Sequence, residues 1–277
     1  MSEAQFHEFF DDAAIFPPGL APLDVAVREH IRRSEDEVAR EFIGPLILPL
    51  DKVREAVPLA AGERLTLSVI VLADELESVD KLLEELADTA VSVSTLEVKL
   101  SDGAVAAITT AADVKSAHPE LKIFLELSYA DVTEENLVAL QSAGLDLKFR
   151  TGGIKQELFP SSEQIIDVLS QVVAHGIAFK LTAGLHRAIR YTDENTGFHH
   201  FGFANIAAAT AALKNGASKE EAQQLLDSSD SVMVTEALNA GDGWRESFTA
   251  FGTCSVVEPV ETLVEIGLVD ADTAARF

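Results

Sequence analysis

The order of hydrophobic and polar positions predicts strands that alternate with helices through the first two thirds of the chain. Each apolar run with period-two alternation is followed by a segment with the spacing of an amphipathic helix. Strand candidates cover residues 42–50, 64–74, 91–100, 122–130, 145–153 and part of 178–186. Helix candidates follow the first five of them at 51–57, 77–88, 104–117, 133–143 and 161–176.

The two ends of the chain are less regular. A long loop over 184–202 precedes helix candidates at 203–216 and 218–229, and short apolar runs at 231–235 and 246–253 are the candidates for a seventh and an eighth strand. Residues 1–41 read as an N-terminal extension with a helix at 22–34. Such an extension often closes the bottom of a barrel; the alternative is that Asp11 and Asp12 lean over the active face.

Six strand–helix units in succession predict a parallel sheet, and its usual closed form at this length is a (β/α)8 TIM-like barrel. We expect a barrel that is irregular around unit seven. An open doubly wound sheet is the competing fold, but no glycine-rich dinucleotide fingerprint follows the first strand candidate. No linker divides the chain, so residues 1–277 are predicted to form one domain.

Alternation places charged side chains on the inner face of four consecutive strand candidates. The outward positions are apolar and face the helices, and the inward positions near the carboxyl ends form the site of a barrel. The inward set is Glu97, Lys99, Glu126, Lys148, Arg150 and Lys180. Four cations against two carboxylates predict a cationic pocket that an anion or a neutral lysine relieves. Structural ion pairs, such as Glu126 with Lys148, are the alternative.

The chain as a whole is strongly acidic, in contrast to the predicted cationic pocket. The chain has 21 Lys and Arg against 46 Asp and Glu, a formal net charge of −25, which disfavours nucleic-acid and membrane partners. One cysteine excludes an internal disulfide framework. No apolar run is long enough to span a membrane, and the acidic start does not resemble a signal peptide. We therefore expect a cytoplasmic protein, with a homo-oligomer left open.

Glycine-containing turns follow two of the charged strand candidates. The first has Gly152 and Gly153 after Arg150, and the second has Gly184 after Thr182. Backbone amides at such turns can approach a phosphate or carboxylate. His186 is a candidate acid or base, and Ser255, beside Cys254, is a further candidate for anion binding. Four neighbouring cations argue against a divalent metal, and no cofactor is predicted.

Lys180, Thr182 and Gly184 form a Lys-x-Thr-x-Gly pattern at the end of the sixth strand candidate. This pattern resembles class I (Schiff-base) aldolases such as deoxyribose-phosphate aldolase, which are (β/α)8 barrels with the imine lysine on strand six. Lys148, with Gly152 and Gly153, resembles a second lysine strand of that family. In the family the second lysine lies on the strand after the imine lysine, whereas Lys148 precedes Lys180 here.

A wider set of segments resembles a group of bacterial and plant proteins of uncharacterised function. The segments are "DDAAIFPP", "KFRTGG", "FKLTAGLH", "HFGFANI" and "FGTCSVVEP". This resemblance implies a common site and gives no reaction.

The leading hypothesis is an enzyme, a lyase resembling class I aldolases, that acts on a small anionic carbonyl metabolite such as a sugar phosphate or keto acid. Lys180 is the expected nucleophile, its pKa lowered by Lys148, and Glu126 or secondarily Glu97 moves protons. Arg150, Lys99 and the glycine amides hold the anion. An isomerase or decarboxylase with lysine general bases and a non-catalytic binding protein are the alternatives.

Overall fold

The computed structural model describes residues 3–101, 103–241 and 243–277, and for Glu3 and Ala4 it describes only the backbone. Eight parallel strands close into a barrel, a TIM barrel, in the order β1-β10-β7-β6-β5-β4-β3-β2, with a two-stranded hairpin, β8 and β9, outside it. The strands are β1 Phe10–Asp12, β2 Ile43–Pro49, β3 Leu65–Leu72, β4 Val91–Lys99, β5 Lys122–Leu127, β6 Asp146–Arg150, β7 Phe179–Thr182, β8 Tyr191–Thr192, β9 His199–His200 and β10 Phe248–Thr253.

Helices alternate with the strands. They are α1 Leu23–Glu35, α2 Leu50–Leu59, α3 Val79–Leu86, α4 Ala104–Ala117, α5 Glu134–Ala143, α6 Ser162–His175, α7 Phe203–Lys214, α8 Lys219–Asp227, α9 Ser231–Ala240, α10 Trp244–Ser247, α11 Val257–Glu265 and α12 Ala271–Ala274. Short 3-10 helices cover Glu3–Phe6, Ala39–Glu41, Ala73–Ser78, Tyr129–Asp131 and Gln156–Leu158. Within the described ranges, no helix has the length and apolar character needed to cross a membrane.

The (β/α)8 prediction is confirmed, including the irregular seventh unit. Between β7 and β10 the chain forms the β8–β9 hairpin and four helices, α7 to α10, in place of one crossover helix. Helix α7 has nine buried residues over Phe203–Ala211, so this insertion packs its first helix into the body of the protein.

The N-terminal segment supplies a strand that the hydrophobic pattern did not show. β1 pairs in parallel with β10 through Phe10 and Phe251, and with β2 through Phe10 and Ile43. A strand of three residues, all buried, is too short for alternation to be visible in the sequence. The predicted first strand is therefore the second of the barrel, and Lys148 and Lys180 lie on the sixth and seventh strands.

The prediction of a strand at 231–235 is wrong, because these residues begin helix α9. The Asp230 side chain accepts hydrogen bonds from the backbone amides of Val232 and Met233, which fixes the start of the helix. Val234 and Leu238 are buried four residues apart on one face. The run of β-favouring residues was a misleading signal because the N-cap and the buried face of the helix outweigh intrinsic propensity.

An aromatic cluster anchors β1 in the barrel wall. Phe9 and Phe10 have no exposed surface, and the Phe9 ring lies 4.8 Å from Phe248 and 5.2 Å from Phe251 in edge-to-face contacts. Trp244 of α10 adds an edge contact to Phe9 at 5.3 Å. Burial of this much aromatic surface explains how a three-residue strand is held in register.

Candidate active site

Five charged side chains form a continuous chain of ion pairs across the interior of the barrel. Its members, in spatial order, are Asp11, Lys180, Glu97, Lys148 and Glu126. We call this set the charge network. All five come from different strands, β1, β7, β4, β6 and β5, so the network depends on closure of the barrel.

Lys180 occupies the centre of the network. Its Nζ lies 2.5 Å from Asp11 Oδ2 and 2.5 Å from Glu97 Oε1, and its side chain has no exposed surface. The Phe124 ring, 5.6 Å from the same nitrogen, adds a cation–π contact. The cost of burying this ammonium is therefore offset by two carboxylates and an aromatic face.

Lys148 bridges two carboxylates at the other end of the network. Its Nζ lies 2.6 Å from Glu97 Oε2 and 2.8 Å from Glu126 Oε2. The register of the strands brings these groups together, because Lys148 is paired with Lys180 on β7 and with Glu126 on β5. The predicted convergence of Lys148, Lys180, Glu126 and Glu97 is thus found, and Arg150 NH2 joins it 3.7 Å from Glu126 Oε1.

The pKa of Lys180 is raised, which contradicts the prediction of a lowered value. Burial alone lowers the pKa of this ammonium, but the charges of Asp11 and Glu97 outweigh burial. Burial likewise favours the neutral form of Glu97, yet Lys148 and Lys180 together hold its pKa well below the usual range. The sequence had suggested only the neighbouring Lys148 as an influence on Lys180, whereas the structure places two carboxylates, those of Asp11 and Glu97, against its ammonium.

Glu126 has a lowered pKa and a buried side-chain oxygen, Oε2, without a hydrogen bond among the described residues. Burial raises its pKa, but Lys148, then Arg150 and Lys99, outweigh burial, so its pKa is lowered. Its Oε2 is buried and makes no hydrogen bond of acceptable geometry within the described residues, although Lys148 Nζ is close. The nearest proton donor to this oxygen is the Lys148 ammonium, 2.8 Å away.

A cavity of about 610 Å³ opens above the network at the carboxyl ends of the strands. We call it the upper cavity. Its charged floor consists of Glu97, Lys99, Lys148 and Arg150, while Lys180 does not line it. Among the described residues, Lys99 forms no ion pair with a carboxylate. The upper cavity therefore meets the network through Lys148 rather than through Lys180.

Predicted residues at the ends of β7 and β10 divide between the cavity and the scaffold. Thr182, Gly184 and His186 line the upper cavity. Ser255 does not, and its Oγ instead accepts a 3.4 Å hydrogen bond from the Glu258 amide near the start of α11. The expected role of Ser255 in anion binding has no geometric support, because its hydroxyl is used at the helix terminus.

The two glycine turns pack directly against each other. A Cβ on Gly152 would lie 2.9 Å from Gly184 Cα and 2.9 Å from a ring carbon of Phe159, and Gly184 has a φ of +80°. A Cβ on Gly153 would meet Leu158 at 2.5 Å. Close packing accounts for these glycines by itself, and their amide contacts to an anion stay a prediction.

The rim of the upper cavity holds a second group of polar side chains. His186 Nδ1 lies 3.8 Å from both Cys254 Sγ and Glu258 Oε2, and Glu258 Oε1 is paired with Arg187 Nε at 3.2 Å. Burial lowers the pKa of His186 and raises that of the Cys254 thiol. Both groups are therefore favoured in their neutral forms, and spacing along the chain gave no hint that they meet.

Asp11 is the functional candidate that the sequence reasoning did not commit to. It enters the barrel interior rather than leaning over the active face, and it also lines a second cavity of about 720 Å³ at the opposite end of the barrel. Asp12 points the other way and pairs with His30 of α1, Nδ1 to Oδ2 3.2 Å. Ser68, which donates a 2.7 Å hydrogen bond to Glu97 Oε1, was also missed. In the sequence, the feature that could have indicated Asp11 is the pair of acids, Asp11 and Asp12, directly after Phe9 and Phe10.

No three His, Cys, Asp or Glu side chains of the described ranges are grouped so that they could hold a metal ion.

Comparison with known proteins gives structural neighbours and no family. No protein-family model matches the chain, and a search of curated proteins found no match. A dihydropteroate synthase of Xanthomonas albilineans in complex with indole-2-carboxylic acid and 6-chloroguanine is 13% identical over 96% of this chain and 95% of that one, at a TM-score of 0.42. Structures of the same enzyme with 4-aminobenzoic acid and with 7,8-dihydropteroate are 13% and 14% identical, cover 96% of this chain and 94% of theirs, and have TM-scores of 0.43. Such likeness carries no argument about reaction or substrate, and nothing in these comparisons supports the resemblance to class I aldolases.

Proposed function

We propose that this barrel is an enzyme that acts on a small anionic carbonyl compound in the upper cavity, with Lys148 as the reactive amine. The observation that carries the proposal is the different placement of the two lysines. Lys148 lines the upper cavity, whereas Lys180 has no exposed surface and is enclosed by Asp11 and Glu97. Lys180, the nucleophile expected from the sequence, becomes a positioning residue that holds Glu97.

The proposed chemistry is class I aldolase-like cleavage or formation of a carbon–carbon bond. Lys148 transfers a proton to Glu126, and its neutral nitrogen attacks the carbonyl carbon of the substrate. Glu126 returns that proton to the oxygen and then carries a second proton from the attacking nitrogen to the same oxygen, which leaves as water to give an iminium ion. In the cleavage direction, the bond between the α and β carbons breaks, its electron pair moves to the iminium nitrogen, and the β-hydroxyl gives its proton to the Glu126 carboxylate.

Arg150 links substrate binding to the strength of the base. Its guanidinium lies 3.7 Å from Glu126 and also lines the upper cavity. An anionic substrate that binds Arg150 and Lys99 screens these positive charges from Glu126, and the pKa of Glu126 then rises toward a value useful for proton transfer. Glu126 then becomes a better acceptor for a proton.

The order of the lysines along the barrel supports this assignment. Because β1 is the first strand, Lys148 lies on the sixth strand and Lys180 on the seventh. That order places Lys148 on the strand that carries the imine lysine in the aldolases, whereas the Lys-x-Thr-x-Gly pattern that gave the resemblance belongs to Lys180. The resemblance stays short, and it is the placement of Lys148 in the cavity that argues for the role.

A non-catalytic protein that binds an anionic metabolite is the second candidate. The observation in its favour is that both lysines are ion-paired, and a fully paired amine is a poor nucleophile. Isomerisation or decarboxylation with a lysine base uses the same residues without an imine, and exchange of solvent deuterium into the substrate without a trapped adduct distinguishes it.

The test is reduction with borohydride in the presence of a panel of sugar phosphates and keto acids, followed by mass spectrometry of the intact protein. We expect one equivalent of adduct with at least one compound, its loss in Lys148→Met, and its retention in the control Lys81→Met, which alters an exposed lysine of α3. If no compound of the panel adds mass specifically to the native protein, the imine reaction is wrong.

A further inference from the structure

We propose that the substrate of the upper cavity carries an apolar substituent about as large as a benzyl group, attached to its anionic carbonyl end. This inference rests on the proposed function and adds the class of substrate to it. It follows from the division of the cavity into a charged floor and an apolar wall.

The apolar wall of the upper cavity comes from segments that follow the strands, whereas the charged floor comes from the carboxyl ends of the strands themselves. It is built from three separate segments, namely the turn after β1, the loop after β6 and the β8–β9 hairpin. Its side chains are Phe16, Pro17, Pro18, Ile154, Leu158 and Phe198. On the loop after β6, Ile154 is 74% exposed and Leu158 is 39% exposed. Apolar side chains from distant parts of the chain that converge on one cavity are typical of a ligand site.

The hairpin stacks aromatic rings beside this wall. Tyr191 and His200 are stacked with ring centroids 4.9 Å apart, and His200 Nδ1 lies 2.9 Å from the Gly184 carbonyl oxygen. The Phe159 ring meets His200 edge-on at 5.1 Å and Phe198 at 5.4 Å. These contacts fix the rings in place, so the wall is preformed for a flat apolar group.

Charges near the wall are already paired within the protein. Glu258 is bound to Arg187 at 3.2 Å, and Asp193 accepts hydrogen bonds from the Thr196 amide at 2.8 Å and the Asn195 amide at 3.0 Å. Arg187 also lies over the Tyr191 ring at 4.6 Å. Among the described residues that line the cavity, Lys99 forms no ion pair, and Arg150 is 39% exposed and lies 3.7 Å from Glu126. These two cations are the nearest partners for a ligand anion, so the polar end of the substrate is directed toward the floor and its apolar end toward the wall.

The volume of the cavity agrees with a two-part substrate. At about 30 Å³ for each non-hydrogen atom, the volume taken by a water molecule, a compound of about ten such atoms fills only about half of the 610 Å³. A three-carbon phosphate would thus leave the apolar wall in contact with water. An added aromatic group covers it, which is favourable in proportion to the apolar area removed from water.

The test measures binding of unreactive acids by isothermal titration calorimetry. The probes are 3-phenylpropanoate and propanoate, which share the carboxylate and lack a ketone or aldehyde. We expect 3-phenylpropanoate to bind about tenfold more tightly or better. We also expect Ile154→Asn to lower its affinity about threefold or more, while Val232→Asn, at an exposed apolar position of α9 outside the cavity, leaves it unchanged.

Equal affinities for the two acids, or equal effects of Ile154→Asn and Val232→Asn, overturn the inference about the apolar wall. Because neither probe can form an imine, this result is independent of adduct formation at Lys148. Tight binding of 3-phenylpropanoate together with no adduct from any aromatic keto acid would retain the apolar wall and reject the reaction.

Discussion

Lys148 and Lys180 occupy equivalent positions on neighbouring strands and have different surroundings. They are paired with each other in the register of β6 and β7, and both contact Glu97. The second partner of Lys180 is Asp11, which is buried on the short N-terminal strand, whereas the second partner of Lys148 is Glu126, which is partly exposed. Only Lys148 lines the upper cavity.

The comparison shows that the position on a strand does not decide which lysine lines the upper cavity. Both side chains point inward as alternation requires. The two ammonium groups differ in their second carboxylate, which is Asp11 of β1 for Lys180 and Glu126 of β5 for Lys148. Neighbouring charges of this kind set the protonation of a buried amine. The predictions below break this pattern of pairing, beginning with the largest expected effect.

Glu97→Gln removes the carboxylate that the two lysines share. We expect it to lower the free energy of unfolding by about 3–5 kcal/mol, because two buried ammonium groups then face each other without the shared counter-ion. Chemical denaturation of the variant and of the double variant Glu97→Gln/Lys180→Met measures the effect. The double variant should recover part of the loss, and a single variant within about 0.5 kcal/mol of the native protein would show that the network is not energetically coupled.

Asp146, at the start of β6, is a partly buried carboxyl group that forms no ion pair within the part of the chain that the structure describes. Burial raises its pKa to about 6, above the ordinary aspartate value of 3.8, and a backbone hydrogen bond and the charges of Lys115 and Lys122 lower the pKa by less. The neutral form is favoured in the folded state, so its contribution to stability is complete below pH 3.8 and is lost as the pH rises through about 6, by up to about 3 kcal/mol.

Asp146→Asn tests this pH dependence. We expect the variant to be more stable than the native protein above pH 7, and the difference to disappear below pH 4, because the amide does not ionise. Thermal or denaturant unfolding across pH 4–8 gives the comparison. A difference in stability that does not vary with pH would mean that Asp146 titrates normally.

Separate replacement of Lys180 and Lys148 compares how much each lysine contributes to the stability of the folded protein. Lys180→Met leaves Asp11 buried without a cation, whereas after Lys148→Met Glu126 keeps Arg150 and Glu97 keeps Lys180. We expect Lys180→Met to cost about 2 kcal/mol more stability than Lys148→Met at neutral pH. The double variant Lys180→Met/Asp11→Asn should recover most of this difference, and equal costs for the two single variants would contradict it.

Ser255→Ala is expected to have the smallest effect, a loss of about 0.5–1 kcal/mol of stability with no change in binding of an anionic ligand. The Ser255 hydroxyl contacts the first turn of α11 and does not line the upper cavity. Denaturation and calorimetric titration with 3-phenylpropanoate measure both properties. A clear loss of affinity for 3-phenylpropanoate would show that Ser255 takes part in anion binding.

Most of the barrel and four of the five members of the charge network could be predicted from the sequence, because both follow from alternation along strands of four or more residues. Glu97, Glu126, Lys148 and Lys180 were placed inside on that basis. β1 could not be predicted, because a strand of three residues shows no periodicity. For that reason the sequence analysis missed Asp11 as a counter-ion of Lys180 and numbered each later strand one too low. The raised pKa of Lys180 depends in part on this long-range contact, so the direction of that shift could not be predicted from the sequence.

The most direct test of the account is to locate the reduced adduct by peptide mass spectrometry after borohydride trapping with an aromatic keto acid, such as phenylpyruvate, in the native protein and in Lys180→Met. The account predicts that the added mass lies on Lys148 in both proteins. An adduct on Lys180 in the native protein would contradict it, because an ammonium enclosed by Asp11 and Glu97 would then be the reactive amine.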